Sequence, residues 1–280
     1  MQRRILPQVR TGLQTGTHRR DVDDAGVVSR LEKDLGAYLK DIGRLVIAFS
    51  GGTDSSYLAS VALDAGIDFR LYHVRSVFEK KNVTSDALRM CSDLGIGVSV
   101  IDADILSDPD IRRNDGLRCY HCKKAVFGRI IEAAEADGYT MVADGTNASD
   151  DESERPGMRA LREMGVISPL RDCDLTKDMI RELSRIRGLP TWNVPSDSCL
   201  ATRVVTGTEL TRDLLSKTEE AERRLHDEYG LIGHRARTDG HGCTVEVRAQ
   251  DWDRISASMD GVSSLLSDLY DGIVLSDRRR

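Results

Sequence analysis

The chain has 280 residues, of which 40% are hydrophobic and 31% charged, and its formal net charge is −6. This composition is typical of a protein with a packed core and long enough for a large domain with a small one beside it. The acidic charge argues against a protein whose main task is binding nucleic acid. No apolar run approaches the roughly 18 residues that span a membrane, so we expect no membrane partner.

The first 24 residues contain arginines but no apolar signal core, and we expect them to form a mobile N-terminal tail. We therefore expect a cytoplasmic protein. In that compartment the six cysteines are predicted to be free thiols or metal ligands rather than a disulfide framework.

From residue 41 to about 143, short β-rich runs alternate with helical patterns. The predicted strands cover 44–49, 69–74, 98–102 and 140–144, and the predicted helices cover 55–65, 84–94 and 122–136. This alternation predicts an α/β fold with a parallel sheet and helices on both faces. Such sheets bind ligands beyond the carboxyl ends of their strands, where Ser50, Val74, Asp102 and Asp144 are expected to share a cleft.

The second half is predicted to contain a helix over 176–187, capped by Thr176, and another from Thr211 to about Tyr229. A hairpin follows over 233–249, and then a last helix and a short strand, "GIVLS". We place a domain boundary near Gly207. The prediction is an α/β domain over 25–206 and a small C-terminal α+β domain over 207–280.

The segment "AFSGGTDSS" leads from the first predicted strand through two glycines into a helix. Gly51 and Gly52 permit a close approach of the backbone to an anion, and the helix N-terminus favours negative charge. Ser50 and Ser55 add hydroxyl groups, and Asp54 can reach a magnesium ion bound between phosphates. The lysine of a Walker loop is missing. We therefore expect a loop that holds pyrophosphate and leaves the α-phosphorus of a nucleotide open to attack.

Three cysteines form a second pattern. Cys119 and Cys122 make a C-x-x-C at the start of a predicted helix, and Cys199 follows far along the chain. A helix N-terminus lowers thiol pKa values, which favours metal binding or nucleophilic attack. Three thiolates can hold a 4Fe–4S cluster and leave one iron free to bind a sulfide. A structural zinc site, which would need a fourth ligand, a redox-active disulfide and an ordinary buried pair are the alternatives.

The S-G-G-x-D-S pattern resembles the PP-loop ATP pyrophosphatase superfamily, whose members cleave ATP to AMP and pyrophosphate and activate a substrate oxygen as an adenylate. From about Leu31 onward the sequence also resembles the LarE family of ATP-dependent sulfur transferases. The segments that carry this likeness are "AFSGGTDSS", "RCYHCKK", "DGTNASDDESERPGMRALREMGVISPL", "LTKDMIRELSRIRGLPTWNVPSDSCLATR" and "RARTDGHGCTVEV".

The resemblance implies an adenine nucleotide alpha hydrolase-like fold and a defined reaction. ATP adenylylates a carboxylate of a nicotinic-acid-derived mononucleotide, and a protein-held sulfur then attacks. The thiocarboxylate product is released for a nickel-pincer cofactor. The resemblance also implies a homo-oligomer, and it does not specify the physiological source of the sulfur.

The resemblance assigns roles to matching positions. The ATP phosphates and Mg²⁺ would be held by Ser50, Gly51, Gly52, Asp54 and Ser55, and the nucleotide pocket would be lined by Gly145, Thr146, Asn147, Asp150 and Arg155. Cys199 matches the sulfur-donor cysteine, which in some members is converted to dehydroalanine. Members that also carry the C-x-x-C use all three thiols for a cluster, so a 4Fe–4S cluster on Cys119, Cys122 and Cys199 is expected. The substrate phosphate would be bound by Arg203, Arg235 and Arg237, whose guanidinium groups suit bidentate contacts.

Some positions depart from the family pattern. Residues 204–207 read Val-Val-Thr-Gly where the family usually has Pro-Tyr-Gly, Thr238 and Asp239 replace two histidines, and Ser149 replaces an acid. These departures bear on the substrate more than on the chemistry. The alternatives are a PP-loop tRNA thiolase, an ammonia-using ligase of the NAD or GMP synthetase kind, and a nucleotide sensor without catalysis.

Overall fold

The computed structural model describes residues 24–150, 156–195 and 197–277. The first half contains α1 (Asp24–Ile42), β1 (Arg44–Ala48), α2 (Thr53–Ala65), β2 (Asp68–Arg75), α3 (Val83–Asp93), β3 (Val98–Asp102), α4 (Pro109–Arg112), α5 (Arg118–Ala136) and β4 (Val142–Ala143). The second half contains α6 (Pro156–Glu163), α7 (Pro169–Asp172), α8 (Lys177–Ile186), α9 (Arg212–Tyr229), β5 (Arg235–Thr238), β6 (Gly242–Val247), α10 (Ala249–Ser256), α11 (Met259–Leu266) and β7 (Gly272–Asp277).

The first sheet is parallel, with the strand order β3-β2-β1-β4. Its central strand β1 is buried on both faces because its side chains alternate between two cores. Leu45 and Ile47 pack in a cluster with α1, α2 and α8, whereas Val46 packs in a cluster with α5 and α6. The predicted parallel sheet with helices on both faces is therefore confirmed, and all four strands direct their carboxyl ends to one edge.

Helix ends follow the residues that the sequence supplies for them. Gly66 ends α2 in the left-handed conformation, with φ of 66°. The side chain of Thr176 accepts a hydrogen bond from the amide of Met179 at the start of α8, and Thr211 does the same for Leu214 in α9. These caps fix where α8 and α9 begin, and both helices start within one residue of the predicted position.

The second sheet is small and mixed. Strands β5 and β6 form the predicted antiparallel hairpin, and β7 pairs with β6 in parallel. The single helix predicted before β7 is two helices, α10 and α11, since the chain leaves the helical path between Ser256 and Met259. A further core cluster joins the two halves of the chain, because Leu210 and Leu214 pack with Ile111 and Leu200. The domain boundary near Gly207 stays a prediction.

Two features were not anticipated. Helix α1 packs Leu35 and Leu39, both fully buried, against the core beside β1. Helix α6 lies within the segment expected to be a polar loop. The expected mobile tail lies outside the described residues, apart from Asp24 at the start of α1. Within 24–150, 156–195 and 197–277, we find no helix long and apolar enough to cross a membrane.

Candidate functional site

The turn between β1 and α2 is shaped by its glycines. Gly51 has a φ of +74°, which favours glycine, and a Cβ atom there would lie 2.9 Å from the Cβ of Ala87 in α3. Gly52 is extended and forms the N-cap of α2. Because α3 packs directly against the turn, no larger residue fits at Gly51. The first turn of α2 therefore presents its free N–H groups at the edge of the sheet.

The hydroxyl groups of this loop bond to one another. The Oγ atoms of Ser50 and Ser55 are 3.1 Å apart, and Ser55 also donates to the carbonyl of Gly52 at 3.3 Å. The amide of Gly52 donates to Ser50 Oγ at 3.4 Å. These long hydrogen bonds are easily exchanged for shorter ones to phosphate oxygens, which accept strongly from hydroxyl and amide donors.

Asp54 is an acidic group at the centre of the loop. Its Oδ2 atom accepts a hydrogen bond from Nζ of Lys177 at 2.6 Å. Its Oδ1 atom is buried, and none of the residues that the structure describes donates a hydrogen bond to it. Burial raises the pKa of Asp54, and the Lys177 ammonium opposes that shift. A carboxylate oxygen that lacks a donor fits the ligand set that Mg²⁺ prefers.

The segment that follows β4 lies against this loop. A Cβ atom on Gly145 would be 3.1 Å from the amide nitrogen of Ser55, so the two backbones approach closely. Thr146 donates to Asp144 through both its amide and its hydroxyl. Asn147 is buried, and its side-chain oxygen accepts from the amide of Ser149 at 2.9 Å.

Asp150 completes this segment of the predicted nucleotide pocket. Its Oδ2 atom accepts from the amide of Asn147 at 3.1 Å, and its charge raises the pKa of Asp54. The structure thus brings 145–150 together with the phosphate loop. The fifth predicted residue of this pocket, Arg155, lies outside the described residues.

All six cysteines are free thiols, as predicted, and three of them share one site. Cys119 and Cys199 are exposed, whereas Cys122 is half-buried. Burial raises the pKa of Cys122 to about 12, and the neighbouring thiols of Cys199 and Cys119 raise it further. The expectation that the helix N-terminus lowers the pKa is therefore wrong for Cys122, because loss of water outweighs the helix dipole.

Cys199 lies in a crowded recess that solvent still reaches. The surrounding protein raises the pKa of its thiol by desolvation, and the guanidinium of Arg118 opposes that shift. The charge of Cys119 also acts on Cys199. Two segments some 80 residues apart in sequence are thus held within electrostatic reach of each other.

Arg118 connects these two segments, and the sequence analysis missed it. Its Nη1 atom donates to the carbonyl of Ala201 at 2.8 Å and to the side chain of Asn114 at 2.5 Å. Its Nη2 atom lies 3.6 Å from the Sγ of Cys119. The one signal in the sequence was its position directly before the C-x-x-C.

Arg203 is fully buried, and its guanidinium is directed at protein groups. Its Nε atom donates to Oε1 of Glu222 at 2.8 Å. Its Nη1 atom donates to the carbonyl and the hydroxyl of Ser198 at 2.6 and 2.7 Å, and its Nη2 atom to Asp197 at 2.5 Å. This arrangement differs from the predicted contact with a substrate phosphate. It holds the two residues that precede Cys199.

Lys80 completes this charge network. Its Nζ atom is 2.7 Å from a carboxylate oxygen of Asp197 and 2.7 Å from one of Glu222. Although burial raises the pKa of Glu222, the neighbouring Arg203 and Lys80 bring it below its ordinary value of 4.5. Both carboxylates are therefore charged, and two cations neutralise two anions. No sequence pattern links these four residues, because they come from distant segments.

Comparison with protein-family models gives no match. Comparison with individual proteins gives several. The chain is 34% identical over 197 residues to the pyridinium-3,5-bisthiocarboxylic acid mononucleotide synthase of Lactiplantibacillus plantarum, a LarE protein; the aligned region is 68% of this chain and 70% of that one. It is 33% identical over 195 residues to an uncharacterized protein of Synechocystis sp., with 69% and 72% of the two chains aligned. The chain belongs to the LarE family of ATP-dependent sulfur transferases.

A more distant relative of this LarE-family chain comes from the glutamine-hydrolyzing GMP synthase of Methanosphaerula palustris. The two chains are 28% identical over 242 residues, which is 74% of this chain and 76% of the other. The likeness to a synthase of another kind agrees with the PP-loop fold and with the position of its phosphate loop.

The remaining two arginines predicted for this LarE-family site lie on β5. Arg235 and Arg237 are two residues apart on one strand and so share a face of the small sheet. Arg235 is buried, whereas the Arg237 side chain is 38% exposed. Arg237 donates to the carbonyl of Thr202 at 3.0 Å and pairs with Glu246 at 2.5 Å. Strand β5 therefore adjoins the segment that follows Cys199.

The three thiols can be tested for their fit to a metal group. In 24–150, 156–195 and 197–277, no three His, Cys, Asp or Glu side chains are placed to hold a single metal ion. The ligand sulfurs of a 4Fe–4S cluster bind different irons, so they need not converge on one point. Three neighbouring thiols, two of them exposed, fit the donor set of a cluster better than that of one tetrahedral zinc ion.

Proposed function

We propose that this protein transfers sulfur to a carboxylate of a nicotinate-derived mononucleotide in an ATP-dependent reaction. The observation that carries the proposal is the meeting of three thiols from two distant segments at the sheet edge that bears the phosphate loop. Thr53 supports this connection, since its hydroxyl donates to the carbonyl of Thr191 at 2.7 Å, in the segment that leads to Cys199. The name of the L. plantarum relative supports the substrate class.

The phosphate loop would carry the first half of the reaction. Ser50, Ser55 and the amides at Gly51 and Gly52 would bind the pyrophosphate portion of ATP, and Asp54 would hold Mg²⁺. When bound, Mg²⁺ supplies positive charge against the phosphates. A carboxylate oxygen of the substrate attacks the α-phosphorus, the bond to pyrophosphate breaks, and an acyl adenylate forms. The adenylate makes AMP a good leaving group.

Cys199 would supply the sulfur for the second half. Its thiolate attacks the acyl carbon and AMP leaves, which gives a thioester on the protein. Loss of the Cα proton and cleavage of the Cβ–Sγ bond then release the thiocarboxylate and leave dehydroalanine at position 199. Arg118 favours the thiolate form of Cys199 because its cation lowers the pKa of that thiol.

A second source of sulfur uses the same three residues. Cys119, Cys122 and Cys199 would hold a 4Fe–4S cluster, which when bound supplies an iron that has no protein ligand and can carry an added sulfide. In this version Cys199 keeps its sulfur, and the chain turns over repeatedly. We favour it because Cys119 and Cys122 would otherwise have no part in the reaction.

Arginines of the small sheet would bind the phosphate of the substrate. We assign this role to Arg237, which is partly exposed beside Thr202, together with Arg235. Arg203 is predicted to orient the Cys199 segment instead, since its donors are already engaged. The cytoplasmic location and the homo-oligomeric state stay predictions.

The test is an anaerobic reaction with ATP, Mg²⁺ and the dicarboxylate mononucleotide of nicotinic acid, with and without iron and sulfide reconstitution. We expect AMP, pyrophosphate and a product in which sulfur replaces oxygen, all measured by mass spectrometry. Parallel reactions with ammonium and with tRNA examine the alternatives. An amide product that survives replacement of all three cysteines would favour a ligase of the GMP synthetase kind, and ATP binding without pyrophosphate release would favour a sensor.

A further inference from the structure

We propose that Lys177 is a mobile phosphate ligand that exchanges Asp54 for ATP when magnesium binds. This inference rests on the proposed function. It assigns to Lys177, which lies outside the S-G-G-x-D-S segment, the positive charge that a Walker lysine supplies in other phosphate loops. In the nucleotide-free protein Lys177 neutralises Asp54, and in the complex it contacts a phosphate oxygen.

The backbone of Lys177 is fixed at the loop. Lys177 is the first residue of α8, and its amide donates to the hydroxyl of Ser149 at 3.0 Å. The Thr176 cap holds the first turn of the helix in place. From this anchored position the side chain reaches across to α2, and its Nζ atom lies 2.6 Å from Oδ2 of Asp54. Both side chains are 23% exposed, so the pair lies at the mouth of the loop rather than in the core.

The charges at the loop favour an exchange. Asp54 carries one oxygen that Lys177 occupies and one buried oxygen that accepts no hydrogen bond from any described residue. A magnesium ion at Asp54 competes with the ammonium for the same carboxylate. The phosphates that arrive with the metal offer Lys177 a new acceptor within reach of its flexible stem. The carboxylate of Asp150, which also acts on Asp54, keeps a cation favourable at this position throughout.

The exchange can be tested by titrating ATP without magnesium, in EDTA, by calorimetry. Removing the competitor in Asp54→Asn frees Lys177 for phosphate, so we expect ATP to bind about tenfold more tightly than to the unsubstituted protein. Lys177→Met should weaken binding about tenfold. In the double variant, the gain from Asp54→Asn should largely vanish. Lys40→Met, which removes an exposed lysine in the last turn of α1, serves as the control and should bind ATP normally.

The gain from Asp54→Asn isolates the lysine from general charge effects. If that gain persists in full in the Lys177→Met background, it comes from the removed negative charge alone and the proposal is wrong. Unchanged ATP binding by Lys177→Met would also overturn it. Thermal unfolding of each variant verifies that the fold is kept, and conservative replacement by Arg should restore part of the affinity.

A second readout needs no nucleotide. Since Lys177 competes with the metal for Asp54, Lys177→Met should bind Mn²⁺, followed by electron paramagnetic resonance, several-fold more tightly than the unsubstituted protein. Weaker or equal Mn²⁺ binding would contradict the exchange. The two proposals fail in different ways. A protein that binds no ATP under any condition contradicts the proposed function, whereas one that binds Mg–ATP normally with Lys177→Met contradicts the role of Lys177 alone.

Discussion

The Nη1 atom of Arg118 donates to the carbonyl of Ala201 at 2.8 Å, and this hydrogen bond joins the C-x-x-C helix to the segment that carries Cys199. Arg118 also lies beside Cys119 and lowers the pKa of Cys199 against the effect of desolvation. A single side chain thus holds two distant cysteine segments together and adjusts the ionisation of one of them.

Replacing Arg118 by Met should make Cys199 less reactive at neutral pH. The loss of the cation leaves desolvation unopposed, so the pH at which Cys199 is half alkylated by iodoacetamide should rise, as followed by peptide mass spectrometry. Arg118→Lys keeps the charge and should show a smaller rise. Arg129→Met, at an exposed position on the same helix, is the control. An unchanged alkylation profile for Arg118→Met would remove the electrostatic role of Arg118.

The two cysteines of the C-x-x-C should differ in reactivity. Cys119 is exposed, whereas burial raises the pKa of Cys122 to about 12. At pH 8 in the metal-free protein we expect iodoacetamide to modify Cys122 more than tenfold more slowly than Cys119, because the thiolate is the reactive form. Denaturation should abolish the difference. Equal rates in the folded protein would contradict the burial of Cys122.

Breaking the buried network should unfold the protein more easily. Glu222→Gln leaves Arg203 and Lys80 with one carboxylate between them, and we expect a loss of about 3–5 kcal/mol in the free energy of unfolding. Urea denaturation measures this loss. Glu220→Gln, which removes an exposed pair on the same helix, should change the free energy little. A loss below that of the control would show that the network does not stabilise the fold.

The same network predicts a dependence on pH. Glu222 has a pKa below its ordinary value of 4.5 in the folded protein. Its contribution to stability is therefore complete above pH 4.5 and is lost as the pH falls through the lower, folded-state value. The free energy of unfolding should decrease on acidification from pH 5 to pH 3, and the decrease should be shallower in Glu222→Gln. An equally steep decrease in that variant would assign the acid sensitivity to other groups.

The phosphate loop should tolerate no side chain at Gly51. Gly51→Ala combines an unfavourable φ with a contact of 2.9 Å to Ala87, and we expect a cost of roughly 1–3 kcal/mol and weaker ATP binding. The double variant Gly51→Ala with Ala87→Gly removes the contact but keeps the backbone strain, so it should recover part of the stability. Calorimetry follows both effects. Full stability in Gly51→Ala would show that α3 does not pack against the loop as described.

The sequence predicted features that depend on local patterns. The strands, the caps at Thr176 and Thr211 and the left-handed Gly66 follow from residues close in the chain, and their observed bounds agree within a few residues. Helix α1 was missed because it was set aside with the N-terminal segment, although its fully buried Leu35 and Leu39 have helical spacing.

Features that depend on tertiary contacts could not be predicted. Lys80 and Glu222 are 142 positions apart, and Lys177 reaches Asp54 across 123. The pKa of Cys122 was predicted in the wrong direction because a local rule for helix ends does not include burial. The same reason explains Arg203, whose residue type suits a phosphate but whose surroundings are two carboxylates.

The most direct test of the central proposal is a single turnover with Cys199→Ala, in which the products are separated. With excess enzyme, ATP, Mg²⁺ and the dicarboxylate mononucleotide, the variant should release pyrophosphate, because the phosphate loop is intact, and should form no thiocarboxylate. The unsubstituted protein should form both in equal amounts. A thiocarboxylate formed by Cys199→Ala at the unsubstituted rate would contradict the proposal that Cys199 takes part in sulfur transfer.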